Sequence, residues 1–480
     1  MKISKKILAV LLAAAMLLSF APCAFAEGGD EGRIDYTISN PYAGVDFDSY
    51  HQYKTDLHSH TLFSDGGYTE QDHWDVMKLV SLVRKKRIDS SLLDESGTAE
   101  NGNAYKVFKQ GGDEFYQQTL ADGTDGQTML RVPYGVENNP TSFNNAHVNS
   151  WFVDYGHKVI GGTSNYERPI SNVDKLGGLS VINHPGEYSN ARDELYTADA
   201  YNAENPMYNY KINKFAHLLR TYGTCIGIDV NSKGDYRTRF DRKLWDILLQ
   251  KVTPTGRNVL GIASTDSHNL DIVDSGYVLA LMPEKTSVAL KKSLESGQFF
   301  AASKYIGNYD ELVQLYEEVR VIKSLEASRV AGKLSEAIEN IAAQIENGKQ
   351  KDQYKVEDGT VAPKVTNIIV DNTADTITVT AENALTVHWI ADGKVIHVGS
   401  RIDLNDHSDE IGSYVRAEVF GAGGILYVEP FLLSYDGAPA PEDEGHFYDF
   451  GTIASLICDT PVIILEIILP LGLIFKLAGK

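Results

Sequence analysis

Two pairs of ligand-type residues, His58-Ser59-His60 and Asp266-Ser267-His268, each follow an apolar run, and they lie far apart in the chain. Residues i and i+2 of a β-strand project from one face. Each pair can therefore aim both side chains at a single point. A fold that uses two remote strand ends in this way must bring those ends together. This favours a metal site built at the mouth of an α/β barrel, where strand C-termini converge.

The pattern around these pairs agrees with such a fold. Between Tyr53 and Tyr305, apolar strand-like runs alternate with helical spacings. Gly178 to Asn183, Ile226 to Val230 and Val259 to Ala263 read as buried strands, and Trp74, Met77, Val80 and Val83 are spaced for a helix. Alternating units of this kind argue for a parallel sheet or barrel over residues 51–305. Residues 306–348 then repeat apolar positions at three and four, from Leu312 to Ile345, which predicts a helical segment read as a spacer or buttress. Residues 363–436 alternate apolar and polar with turn residues such as Asp392-Gly393, which predicts a small antiparallel β-domain.

Further candidate ligands fall at strand ends or in the loops after them. They are Asp65, Glu137, His147 and His184, in addition to His58, His60, Asp266 and His268. Imidazoles and carboxylates without thiolates suit Zn, Mn or Fe. Eight groups are too many for one ion, so a two-metal arrangement is expected, with a carboxylate such as Glu137 as bridge. Taken singly, histidines are more often structural. His51, His73, His157, His217 and the four C-terminal histidines sit in no motif and are left out. Asn183 and Tyr188 border the His184 loop and read as packing residues. Arg257 reads as a loop charge or a contact for a substrate anion.

These blocks together resemble the PHP (polymerase and histidinol phosphatase) family over residues 53–305. The resemblance rests on Asp56-Leu57-His58-Ser59-His60-Thr61 with Ser64-Asp65-Gly66, on Gly135-Val136-Glu137, and on Ala146-His147-Val148. It continues through Gly177-Gly178-Leu179 with Asn183-His184-Pro185-Gly186, and Asp266-Ser267-His268. It implies a distorted (β/α)7 barrel holding two or three divalent ions, in a family of mostly phosphoesterases. It further implies that His58, His60, Glu137 and Asp266 hold one ion, that Glu137, His147 and His184 hold a second, and that Asp65 and His268 belong to a third. One block departs from the pattern. Where the family carries a histidine after its first helix, this chain reads Leu93-Asp94-Glu95-Ser96, which leaves Glu95 as the candidate ligand there.

The ends of the chain carry targeting signals. Lys2, Lys5 and Lys6 precede an apolar run and Ala24-Phe25-Ala26, so residues 1–26 read as a secretory signal peptide. Its removal, which takes away three lysines and no acid, changes the net charge from −21 to −24. Such a surface repels nucleic acid, and no nucleic-acid groove is expected. Residues 453–475 are almost wholly apolar and are followed by Lys476 and Lys480, which predicts a transmembrane anchor. Asp459 and Glu466 are flaws in that span. Cys225 and Cys458, both in apolar runs, are not expected to pair.

The expected protein is an extracytoplasmic, membrane-tethered metal-dependent phosphoesterase on the outer face of a bacterial-type membrane. Its partner would be a small phosphorylated substrate, with Asp65 or His268 as the acid near the leaving group. An amide, carbamate or ester metallohydrolase of the same fold is the alternative, and a non-catalytic surface-binding module is a third reading. Oligomeric state does not follow from the sequence.

Overall fold

The computed structural model describes residues 33–60, 67, 119–121, 128–130, 135–138, 146–153, 155, 166–188, 201, 206–357, 359–443 and 445. Strands β1 (Thr37–Ser39) and β2 (His51–Thr55) come first, followed by a hairpin of β3 (Thr119–Ala121) and β4 (Thr128–Leu130). Next come β5 (Val136–Asn138), β6 (Val148–Trp151), helix α1 (Glu167–Leu176), β7 (Leu179–Ile182) and helix α2 (Pro206–Thr221). Strand β8 (Cys225–Asn231), helix α3 (Asp241–Val252) and β9 (Leu260–Ala263) complete this part. Strands β5 to β9 form one sheet in sequence order. The first two pairings in it are antiparallel, and β7–β8 and β8–β9 are parallel.

The parallel part is buried on both faces, which is why its strands are mostly apolar. Leu179 and Val181 of β7 enter one core with Ile262 of β9, while Ile182 and Ala263 enter the other. Helix α3 buries Leu244, Trp245, Leu248, Leu249 and Val252, the stripe expected of a helix with one face on a core. Gly227 sits where β8 and β9 approach most closely. A Cβ there would lie 1.8 Å from Leu260 O, so any side chain would push the strands apart.

Strand β10 (Gly276–Met282), helix α4 (Ser287–Ser296) and β11 (Phe299–Ser303) follow. Strand β12 (Tyr305–Ile306) pairs with β13 (Tyr354–Lys355), and helices α5 (Tyr309–Val319) and α6 (Leu325–Glu346) lie between them in sequence. Both helices start at side-chain caps: Asn308 accepts from Asp310 N and Glu311 N, and Ser324 accepts from Ala327 N. The chain continues through β14 (Lys364–Asp371), β15 (Thr376–Glu382), β16 (Thr386–Ala391), β17 (Lys394–Val398), β18 (Arg401–Asp403), β19 (Tyr414–Gly421) and β20 (Gly424–Ser434). An eight-stranded sheet runs β17-β16-β19-β20-β11-β10-β2, with β1 also on β20. Strands β14, β15 and β18 form a separate three-stranded sheet.

The fold is therefore mixed α/β, and no closure of the expected distorted (β/α)7 barrel is seen among the described residues, where the strands form separate sheets. Alternation of strands and helices implies parallel crossovers, but β10 and β11 flank helix α4 and still pair antiparallel. Strands from the stretch expected to form its own β-domain also enter the large sheet, because β20 pairs with β11 along Phe300 to Ser303. Alternation identifies antiparallel strands without specifying which sheet edge they join. The two main sheets are tied where Gly261 N donates to Glu429 Oε2 at 2.9 Å. No helix among the described residues is long and apolar enough to cross a membrane. The signal peptide (1–26) and the apolar tail (453–475) lie outside the described residues.

Candidate metal centre

Residues 56–60 and 265–268 run side by side just beyond β2 and β9. Ser59 and Ser267 form a parallel bridge. Asp266 N donates to His58 O, and His60 N donates to Ser267 O, each at 2.8 Å. Thr265 Oγ1 donates to Asp56 Oδ2 at 2.6 Å, and Asp56 Oδ1 accepts from His58 N at 3.1 Å. Trp151 Nε1 donates to Leu57 O at 3.2 Å, which fixes the same segment to β6. This ladder sets the alternation, so that His58, His60 and Asp266 turn inward together. Asp266 has φ +46° and His184 φ +24°, left-handed values that non-glycine residues adopt at a cost. Such strain persists where surrounding contacts hold it, and it concentrates at functional sites.

One ligand atom from each of His58, His60, Glu137 and Asp266 lies within 4.8 Å of the others, and the same holds for Glu137, His147 and His184. His58 Nε2 is 3.3 Å from Glu137 Oε1 and 3.3 Å from Asp266 Oδ1. His60 Nε2 is 3.2 Å from Glu137 Oε2 and 3.0 Å from Asp266 Oδ1. His147 Nδ1 and His184 Nε2 approach Glu137 Oε1 at 2.7 and 3.2 Å. Glu137 is thus common to both groups: Oε2 meets His60, and Oε1 meets His58, His147 and His184. Asn183 Nδ2 also donates to Oε1 at 3.2 Å and helps fix the carboxylate plane.

This donor set fits divalent cations. His58 Nε2 and His60 Nε2 lie 3.3 Å apart, and both face Asp266 Oδ1. Asp266 Oδ1 is buried, and its near neighbours are the imidazole nitrogens of His58 and His60. Pairwise separations of 3.0–3.3 Å are what nitrogen and oxygen ligands of one ion show when each lies about 2 Å from it. The electrostatics agree. Burial would lower the pKa of His58, but Asp266 and Glu137 push it up to about 10. Burial would raise the pKa of Glu137, yet His58 and hydrogen bonds from His147 and His184 hold its carboxyl well below the usual range. His184 is shifted the other way, lowered by burial and by Lys233, which keeps it neutral. The pocket therefore concentrates negative charge that calls for a cation.

Other groups steady the ligands from behind. Asp229 Oδ2 accepts from His184 N at 3.2 Å and lies 3.9 Å from His58 Nδ1. Glu187 Oε2 is 3.4 Å from His184 Nδ1. Lys233 Nζ bridges Asp266 Oδ2 at 2.8 Å and Glu187 Oε2 at 2.6 Å, and Arg237 Nη1 meets Glu187 Oε1 at 2.5 Å. Carboxylates behind ligating imidazoles fix ring orientation and raise ligand basicity. Sequence reasoning missed Asp229, Glu187 and Lys233. The available signal was the buried run Ile226 to Val230, for whose C-terminal end no ligand was expected; Asp229 and Lys233 sit there.

His268 stands apart from both groups. Its ring stacks on His60 with centroids 4.1 Å apart, and its Nδ1 lies 3.0 Å from Asp266 O. Its side chain is 44% exposed, so it lines the entrance rather than the cage. Asp65 and Glu95, the other expected third-site groups, lie outside the described residues. Arg257 is not near the site. Its Nη2 donates to the carbonyls of Tyr222, Gly223 and Cys225, so it is a backbone clamp.

No protein-family model matches the chain. No curated protein matches it either. Among solved structures, the chain is similar to a two-domain protein from Bacteroides vulgatus ATCC 8482 that contains a predicted PHP-like metal-dependent phosphoesterase. The two are 13% identical over 84% of this chain and 91% of that chain, with a TM-score of 0.32. A score at that level does not establish a shared fold, and the functional reading rests on the ligand geometry.

Proposed function

We propose that this chain is a metal-dependent hydrolase, and that its substrates are phosphate esters. The observation that carries the reading is Glu137, a carboxylate that belongs to both ligand groups. His58, His60, Glu137 and Asp266 would hold one divalent ion, and Glu137, His147 and His184 a second. Bound ions would lower the pKa of water toward neutrality and stabilise charge on the attacked group.

The chain's own residues supply the rest. The ladder between residues 56–60 and 265–268 holds three ligands in register. Asp229 and Glu187 lie behind the imidazoles of His58 and His184. His268, exposed and stacked on His60, is placed to give a proton to a leaving oxygen, with Asp65 as the other candidate. Arg237, half exposed where it pairs with Glu187, would favour an anionic substrate over an uncharged ester or amide.

The test is direct. Purified protein loaded with Zn, Mn or Fe is assayed on generic phosphomonoesters and phosphodiesters, and on an uncharged carboxylic ester. Metal-dependent turnover of a phosphate ester, lost in His58→Ala, is expected. Metal-loaded protein that cleaves only the uncharged ester would move the reading to carbonyl substrates, and full activity in His58→Ala would remove it. We further propose that the protein works outside the cytoplasm, tethered by residues 453–475. Fractionation of cells expressing the full chain tests this, with recovery in the membrane fraction expected.

A further inference from the structure

Lys233, Gly234 and Asp235 have φ of +52°, +62° and +58°, three left-handed residues in succession. Only the middle one is glycine, and the conformation is costly for lysine and aspartate. A turn of this kind survives when neighbouring contacts over-determine it. The contacts here fall at its two ends. Lys233 reaches into the metal cage, to Asp266 Oδ2 and Glu187 Oε2. Asp235 points the other way, is fully buried, and accepts from Arg242 Nη1 at 3.0 Å, Arg242 Nη2 at 2.8 Å and Gly307 N at 2.6 Å.

Arg242 is held in turn. Its Nε donates to Glu311 Oε1 at 2.8 Å and its Nη2 to Glu311 Oε2 at 2.8 Å, while Nη1 also donates to Val230 O at 2.9 Å. Glu311 lies in the first turn of α5, which Asn308 caps. A continuous chain of charge-assisted contacts therefore runs from α5 through Arg242 and Asp235 to the turn that presents Lys233. Bidentate guanidinium–carboxylate contacts are directional as well as strong, so they can fix the turn as well as stabilise it.

We propose that Asp235, clamped by Arg242 and Glu311, is a positioning residue for Lys233. Helix α5 is then a support of the metal centre rather than a spacer. This rests on reading the cage as a metal centre. Lys233 in its observed place holds Oδ2 of Asp266, while Oδ1 faces His58 and His60.

A double-mutant cycle tests the proposal with zinc as the probe. Zn2+ affinity is measured by chelator competition on the full chain for wild type, Glu311→Gln, Lys233→Gln and the double variant, with thermal unfolding followed alongside. Each single change is expected to weaken zinc binding on the order of tenfold, the usual effect of losing a partner behind a ligand. The double variant is expected to bind no more weakly than Lys233→Gln alone, because Glu311 acts through Lys233. Gly234→Ala gives an independent route, since a Cβ there meets nothing nearer than the Tyr305 ring at 3.6 Å and acts on the backbone turn alone. It should weaken zinc binding similarly, and it decides the matter if Glu311→Gln does not fold. Multiplicative losses in the double variant, or wild-type affinity in Glu311→Gln or Gly234→Ala, would overturn the proposal while leaving the metal centre intact. A wild-type protein that binds no zinc, manganese or iron would overturn the metal centre and this proposal with it.

Discussion

Thr265 Oγ1 donates a 2.6 Å hydrogen bond to Asp56 Oδ2, across a sequence separation of 209 residues. The bond locks together the two segments that carry His58, His60 and Asp266. Thr265→Val keeps the shape of the side chain and removes the donor, leaving a partly buried carboxylate short of a partner. The expected loss of stability is roughly 1–3 kcal/mol, read by denaturant unfolding. Weaker metal binding should accompany it, because the register of the ladder sets the cage.

The two ligand groups make separable predictions. His147→Ala removes a ligand from the group with His184 and leaves His58, His60 and Asp266 in place. His60→Ala does the reverse. Each variant should lose one ion and keep the other, as read by elemental analysis of purified protein. Loss of both ions in either variant would show that the groups do not bind independently.

Metal affinity should rise with pH. In the metal-free protein, Asp266 and Glu137 raise His58 to about 10 from its ordinary 6.5. A raised value means that the protonated imidazole stabilises the metal-free fold. That contribution is fully present below 6.5 and is lost as pH climbs through about 10. A metal ion needs the neutral ring, so it must displace that proton. Apparent affinity is therefore expected to increase about tenfold per pH unit for each proton released. Chelator competition between pH 6.5 and 9 checks the slope, and a flat profile would argue against His58 as a ligand.

His268 offers a prediction of a different kind. It touches His60 by stacking and lies outside both ligand groups. His268→Ala should retain the bound ions. Turnover of substrates with poor leaving groups should fall by about 100-fold or more. Activated esters with good leaving groups should be much less affected, since they need no proton. Equal losses on both would point to a purely structural role.

Much of this site was legible because strand periodicity leaves a mark in sequence. His58 and His60 are two apart after an apolar run, and Asp266 follows another, so their convergence needed only two strand ends to meet. Glu137, His147 and His184 were legible by the same placement. Lys233, Glu187 and Asp229 were not, since a single charged residue after a strand has no spacing to betray it. Their importance comes from contacts with ligands, such as the 2.8 Å approach of Lys233 Nζ to Asp266. The sheet architecture was the least legible part. Alternation within residues 363–436 marks antiparallel strands without saying which sheet they join, and β20 pairs with β11. The strand–helix alternation read over residues 51–305 likewise implies crossovers, whereas β10 and β11 pair antiparallel.

Metal stoichiometry tests the central claim most directly. Elemental analysis of the purified full chain should give at least two divalent ions per molecule, one for each group that shares Glu137. In Glu137→Ala, folded by circular dichroism, both should be lost or greatly weakened together. One ion or none in the wild-type protein, or a Glu137→Ala variant that keeps its full complement, would contradict a shared carboxylate at the heart of the site.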